Sequence, residues 1–114
     1  MAEHFLEHWH LDAGDADIAT LDIPPALRVR RFHVDVRFVV ASPVGGDAWH
    51  AMTVELNGRR QWSRQIPTSN PGQTDSLDYH VRLDVPEGAA LRVRASTKVK
   101  GAARRQLRIE AEEQ

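Results

Sequence analysis

The amino-acid sequence predicts an all-β domain, an antiparallel β-sandwich of about eight strands. Two observations carry this. Apolar residues recur with a period of two rather than 3.6, the signature of extended chain with one buried face. Clusters of Gly, Pro, Asn and Asp interrupt these runs at short intervals. A single sheet of that length would leave one apolar face in water, so two packed sheets are the natural architecture. A partly closed β-barrel is the alternative.

The expected strands cover about 3–11, 17–22, 27–41, 48–56, 59–66, 76–85, 89–100 and 103–111. In the first, Phe5, Glu7, Trp9 and Leu11 share an inward face, and His4, Leu6, His8 and His10 point outward. Phe32, Val34, Val36, Phe38 and Val40 alternate with His33, Asp35, Arg37 and Val39. Leu27 and Val29 are out of phase with them, which predicts a bulge at Arg30-Arg31. Leu77, Tyr79, Val81, Leu83 and Val85 alternate with polar residues, as do Leu91, Val93, Ala95, Thr97 and Val99. His33 and His80 fall on outward faces of their strands.

The sequence from Thr53 to Arg64 holds the strongest hairpin signal, Asn57-Gly58. A two-residue turn would pair Leu56 with Arg59 and Thr53 with Trp62. Trp62 would then stand on the outer face between Arg60 and Arg64, as an aromatic platform. A three-residue loop would pair Met52 with Trp62 and bury the indole. The readings exclude each other, because a slip of one residue exchanges the two faces. The second gives both strands a common apolar face and is preferred.

Composition bounds the function. The chain has 114 residues, and Lys+Arg 15 against Asp+Glu 16 leaves a formal net charge of -1. One domain spanning residues 1–114 fits that length. The near-neutral balance argues against a nucleic-acid binder, and no apolar run reaches membrane-spanning length. The first residues lack the basic start and apolar stretch of a secretory signal, so a cytoplasmic protein is expected. The absence of cysteine excludes a disulfide scaffold, a thiol nucleophile and thiolate-ligated metal. None of the familiar catalytic or phosphate-binding motifs occurs, which disfavours an enzyme.

Several residues are candidate ligand contacts. His8 and His10, about 7 Å apart along one strand face, could offer two imidazoles to a divalent metal, although no cofactor is otherwise expected. Asp12, Asp15 and Asp17 gather three carboxylates in a turn, in the manner of a calcium loop or of ordinary Asx turns. Arg92, Arg94, Lys98 and Lys100 line one strand face and could attract an anion. The alternative is pairing of this stripe with the acidic first 22 residues. Asp75 and Asp78 are the nearest thing to a pair of acid/base carboxylates. Residues 67–75 form a long polar segment. It reads either as a binding loop, with Asn70, Gln73 and Asp75 supplying hydrogen bonds beside Arg64 and the 42–47 turn, or as a crossover between sheets.

The expected function is therefore a non-catalytic binding or interaction module. The first reading is a protein partner or self-association through strand edges and charged faces. The alternative is a lectin-like carbohydrate-binding module using Trp62 or Trp49 and the 67–75 loop, and the third is a small metal-dependent enzyme.

Overall fold

The structure is a computed structural model that describes residues 5–43 and 46–114. Glu3 and His4 of the expected first strand, and Val44-Gly45 of the 42–47 turn, lie outside the described residues. Eight strands follow in order: β1 (His8–Asp12), β2 (Ile18–Ile23), β3 (Arg30–Ala41), β4 (Trp49–Leu56), β5 (Arg59–Pro67), β6 (Thr74–Val85), β7 (Leu91–Lys100) and β8 (Ala103–Glu113). They form two four-stranded antiparallel sheets, β1-β8-β3-β6 (sheet A) and β2-β7-β4-β5 (sheet B). The sheets pack as a sandwich, and among the described residues no strand closes them into a barrel.

The period-two pattern explains the core. Phe32, Val34, Val36, Phe38 and Val40 on β3 are buried, as are Met52, Val54 and Leu56 on β4, Leu91, Val93 and Ala95 on β7, and Leu107, Ile109 and Ala111 on β8. These belong to the two middle strands of each sheet, covered by neighbours on both sides. Tyr79, Val81 and Leu83 occupy the same inward phase but are only half-buried, because β6 is an edge strand.

Three expectations need correction. First, no bulge lies at Arg30-Arg31, since β3 pairs with β6 without interruption from Arg30↔Val85. Leu27 and Val29 are simply exposed in the preceding connection. The irregularity in this sheet is where β3 meets β8, between Val39 and Val40, opposite Gln106 and Arg104. Second, the first strand begins at His8, and Phe5 is 85% exposed rather than inward. Third, the β4–β5 hairpin takes neither expected form. Its turn is the two-residue one, with Leu56↔Arg59 and Glu55↔Arg60. Asn57 and Gly58 both adopt positive φ, as such a turn requires. A shift between Val54 and Glu55 then skips Gln61 and pairs Val54 with Trp62. The extra residue returns Trp62 to the inward face, where it is half-buried. Burial and turn chemistry are thus both satisfied, by a bulge.

One ring in the core titrates. His50 on β4 is fully buried, with Phe38 edge-on to it at 6.1 Å between centroids. Its Nδ1 is 2.8 Å from Thr68 Oγ1, while its Nε2 has no hydrogen-bond partner among the described residues. Burial pushes the imidazole below its ordinary pKa. A neutral ring in the fold and an ordinary one in the unfolded chain give no pH slope above about 6.5. Below that value the unfolded chain takes up the extra proton, so stability falls with further acidification until the folded imidazole titrates as well. Urea midpoints measured between pH 7 and 5 should therefore fall more steeply for the parent than for His50→Met. Identical slopes would refute the assignment.

Candidate functional site

The outer face of sheet B carries a groove whose shape follows from side-chain size. The pairing sets Ile18, Ser96, Thr53 and Ser63 in one row across β2, β7, β4 and β5. The next row is Lys98, Ala51 and Gln65. Short side chains in the middle of both rows leave a depression of about 630 Å³, rimmed by Arg60, Arg64, Lys98 and Arg104 against one carboxylate, Asp17. Thr53 and Ser63 share a hydrogen bond of 2.8 Å on its floor. Arg104 is held at its end, donating to Thr97 Oγ1 and to the Thr97 carbonyl, each at 3.1 Å. The chemistry on offer is cationic with many hydroxyls, suited to an oxygen-rich anion.

Trp49 extends this face. It is half-buried on the outer side of β4, between Lys100 on β7 and Pro67 on β5. A second, smaller depression runs along Asp47, Ala48, Trp49, Gln65, Ile66, Pro67 and Thr68. Gln65 lines both, so the indole and the cationic groove form one continuous surface.

The structure brings together two sets that the sequence kept apart. Arg60 and Arg64 of the proposed platform and Lys98 of the basic stripe meet in the same groove. The stripe itself divides. Arg92 donates to Asp22 at 2.7 Å, and that hydrogen bond raises its pKa. The acidic N-terminal segment thus neutralises one end of the stripe, and Arg92 and Arg94 border a different hollow with Asp22, Glu55 and Asn57. Lys100 lies beside Trp49.

Trp62 is elsewhere. It stacks on Tyr79 at 5.2 Å between centroids with an interplanar angle of 27°, closing the side of the sandwich between β5 and β6. One of its ring faces is therefore occupied by the protein itself. The 67–75 segment carries the chain from sheet B to sheet A, which makes it a crossover, and its polar groups are used in shaping it. Asn70 Nδ2 donates to the Thr74 carbonyl at 2.8 Å, and the Asp75 carboxylate accepts from the Ser69 and Ser76 amides. The Gln73 carbonyl accepts from the Ser42 amide at 2.8 Å. Asp75 and Asp78 sit opposite Val40 and Arg37, on opposite faces of β6, so their carboxyls do not form a pair.

Four histidines, His8, His10, His33 and His80, lie on the outer face of sheet A. His8 and His10 are exposed on β1 with ring centroids 5.7 Å apart, and His8 Nε2 lies 3.3 Å from Glu110 Oε2. Neither belongs to the group of potential ligands that converges most closely among the described residues, which is His33, Asp35 and His80. Separation in sequence hid that group, since β3 and β6 become neighbours only through long-range pairing. The acidic turn is tied to its neighbouring strands, with the Thr97 amide and hydroxyl both donating to the Asp17 carbonyl. Asp12 accepts from Gln106 Nε2 and from the Gly14 amide, each at 2.9 Å. Those hydrogen bonds, the Gln106 one foremost, lower its pKa.

No family model and no curated protein matches the sequence. Among solved structures, the chain is similar to part of dimeric latent PorU from Porphyromonas gingivalis, with a TM-score of 0.57 and 12% identity over 95% of this chain. It spans 13% of the length of that protein. It is also similar to a CBM35 from Cellvibrio japonicus Abf62, at TM-score 0.48 and 16% identity, covering 82% of this chain and 63% of that one. A family 35 carbohydrate binding module from an environmental isolate gives a TM-score of 0.46 and 16% identity, covering 88% and 69%. At 12% identity the first of these likenesses is one of fold alone.

Proposed function

We propose that this protein is a non-catalytic binding module that holds an acidic carbohydrate chain along the outer face of sheet B. The observation that carries the reading is the continuity, through Gln65, of an outward tryptophan with a hydroxyl-floored groove rimmed by Arg60, Arg64, Lys98 and Arg104. A sugar ring offers apolar C–H faces to an indole and oxygens to donors at its edge. Carboxylate or sulfate groups on the chain would meet the guanidinium and ammonium groups. Of the two tryptophans in the lectin-like expectation, this reading uses Trp49 and not Trp62 as the platform, and it takes the polar clamp from the sheet itself in place of the 67–75 loop.

A fluorescence titration with a sulfated oligosaccharide, a polyuronate and a neutral glucan tests this. The two acidic glycans should bind and the neutral one should bind more weakly, with affinity falling as salt is raised. Trp49→Ala should weaken binding about tenfold, the equivalent of a good aromatic contact. Lys98→Glu should weaken the acidic glycans and spare the neutral one. An unchanged affinity in Trp49→Ala, or no binding of either acidic glycan at millimolar concentration, would end the proposal.

A second reading has one specific support. Among the described residues β6, a 12-residue strand, pairs only with β3, so its outer backbone edge is open to strand addition by a partner or a second copy. Its outward Asp78, His80, Arg82 and Asp84 would set which partner fits. Concentration-dependent light scattering with no glycan response would favour this reading over the first.

A further inference from the structure

Antiparallel pairing lays the outer face of sheet A out in rows. One row reads His10, Glu110, Asp35 and His80 across β1, β8, β3 and β6. The adjoining row reads His8, Glu112, His33 and Arg82. On the other side, Asp12, Arg108, Arg37 and Asp78 form a third row with balanced charge. In the first row two carboxylates, Glu110 and Asp35, stand directly opposite each other, and Arg108 and Arg37 of the third row border the same hollow.

Around Asp35 the donors converge. His33 Nε2 is 3.7 Å from Asp35 Oδ1, and His80 Nδ1 contacts that same oxygen. The His33 and His80 rings are 6.1 Å apart between centroids, tilted at 43°. One ligand atom from each of the three residues lies within 4.8 Å of the other two.

We propose that His33, Asp35 and His80 form a binding site for a divalent transition metal of the zinc, cobalt and nickel class. Two imidazoles and one carboxylate suit such borderline ions, whereas calcium and magnesium prefer all-oxygen shells. Metal–ligand bonds of about 2.0–2.1 Å place tetrahedral donors about 3.4 Å apart. The His33–Asp35 pair is already close to that spacing. His33 and Asp35 share one face of β3 at positions i and i+2, and His80 is fixed opposite Asp35 by an unbroken ladder that runs the length of both strands. The backbone therefore holds the three positions, and only side-chain rotation is needed to close on an ion. His80 is well exposed, so that rotation is free and a coordination position stays open to water or to an external donor. Glu110 faces Asp35 from the β8 side and adds negative charge, while Arg82, beside His33, opposes it.

The test uses the whole chain, freed of metal by chelation and titrated calorimetrically with zinc, with melting followed in parallel. One zinc per chain and a raised melting temperature are expected. Cobalt in place of zinc should give visible absorption bands, whose intensity reports the coordination number. His33→Ala/His80→Ala should abolish binding, and Asp35→Asn should weaken it at least tenfold. His8→Ala/His10→Ala should leave it intact. All these residues lie on an outer face, so the metal-free melting temperature of each variant serves as the check that it folds, and Asp35→Asn keeps the shape should the double change not fold. The absence of heat and of any melting shift up to millimolar zinc would overturn the proposal. So would zinc binding that survives Asp35→Asn undiminished, or that disappears with His8 and His10 instead.

Discussion

Replacing Arg30 by alanine should lower the unfolding free energy by about 3–5 kcal/mol, the cost of breaking a buried ion pair from one side. Arg30 opens β3 in the phase of Phe32 and Val34, and is 1% exposed. Its Nη1 donates to Glu7 Oε1 at 2.8 Å, and its Nη2 donates to the Pro24 and Ala89 carbonyls at 2.9 and 3.2 Å. The guanidinium also lies 5.3 Å from the Phe32 ring centroid. Glu7 in turn accepts from Trp9 Nε1 and from Arg28, and Arg28 donates at 2.6 Å to Glu113. The Glu113 hydrogen bond raises the pKa of Arg28. One network thus ties the N-terminal segment, the β2–β3 connection, the β6–β7 connection and the end of β8.

Truncation at Arg30 takes the donor from the Pro24 and Ala89 carbonyls and leaves a cavity beside Phe32. Arg30→Lys should recover little, because a single ammonium cannot reproduce a fork that serves a carboxylate and two carbonyls at once. Glu7→Gln should cost less than Arg30→Ala, since an amide oxygen still accepts from Arg30 and Trp9. Urea denaturation of the three variants checks the ranking. A loss below about 1 kcal/mol for Arg30→Ala would place the arginine among ordinary surface pairs and refute the network's role.

This network shows where sequence reasoning stops. Alternation located β3, β6, β7 and β8 well, because burying one face of a strand demands it. The same alternation put Arg30 in the inward set, two residues before Phe32, but an arginine in that phase reads more readily as a register break than as a buried side chain. Its justification is Glu7, which also sits in an inward phase, 23 residues earlier. Two opposite charges at inward positions were the available signal. The hairpin was half legible. Asn57-Gly58 dictated the turn and Trp62 demanded burial, and only a bulge at Gln61 reconciles them. The two surfaces were less legible. Rows such as His33–Asp35–His80, or Lys98 with Arg60 and Arg64, depend on which strands are neighbours. That order is set by long-range packing, and no spacing along the chain encodes it.

Phe38→Ala should be as damaging as the loss of Arg30, at about 3–5 kcal/mol, through a different cause. Phe38 is fully buried on β3, between Leu77 of β6 and Leu107 of β8. It also reaches across the sandwich to the edge of His50 on β4, so it contacts both sheets. Removing the ring takes away transfer energy and leaves a void that rigid ladders on both sides cannot collapse to fill. For a chain of 114 residues, 1 kcal/mol corresponds to about 4 °C in melting temperature, so a fall of about 12–20 °C is expected. Phe38→Leu, which keeps most of the volume, should lose less than half of that. The two effects also differ in pH response. Phe38→Ala opens the space around His50, which should relax the burial that holds the imidazole neutral and flatten the fall in stability below about pH 6.5. Arg30→Ala lies at the other end of β3 and should leave that slope unchanged. Equal pH slopes in the two variants would show that Phe38 does not seal His50, and a melting loss under about 4 °C for Phe38→Ala would show that the ring does not hold the sheets together.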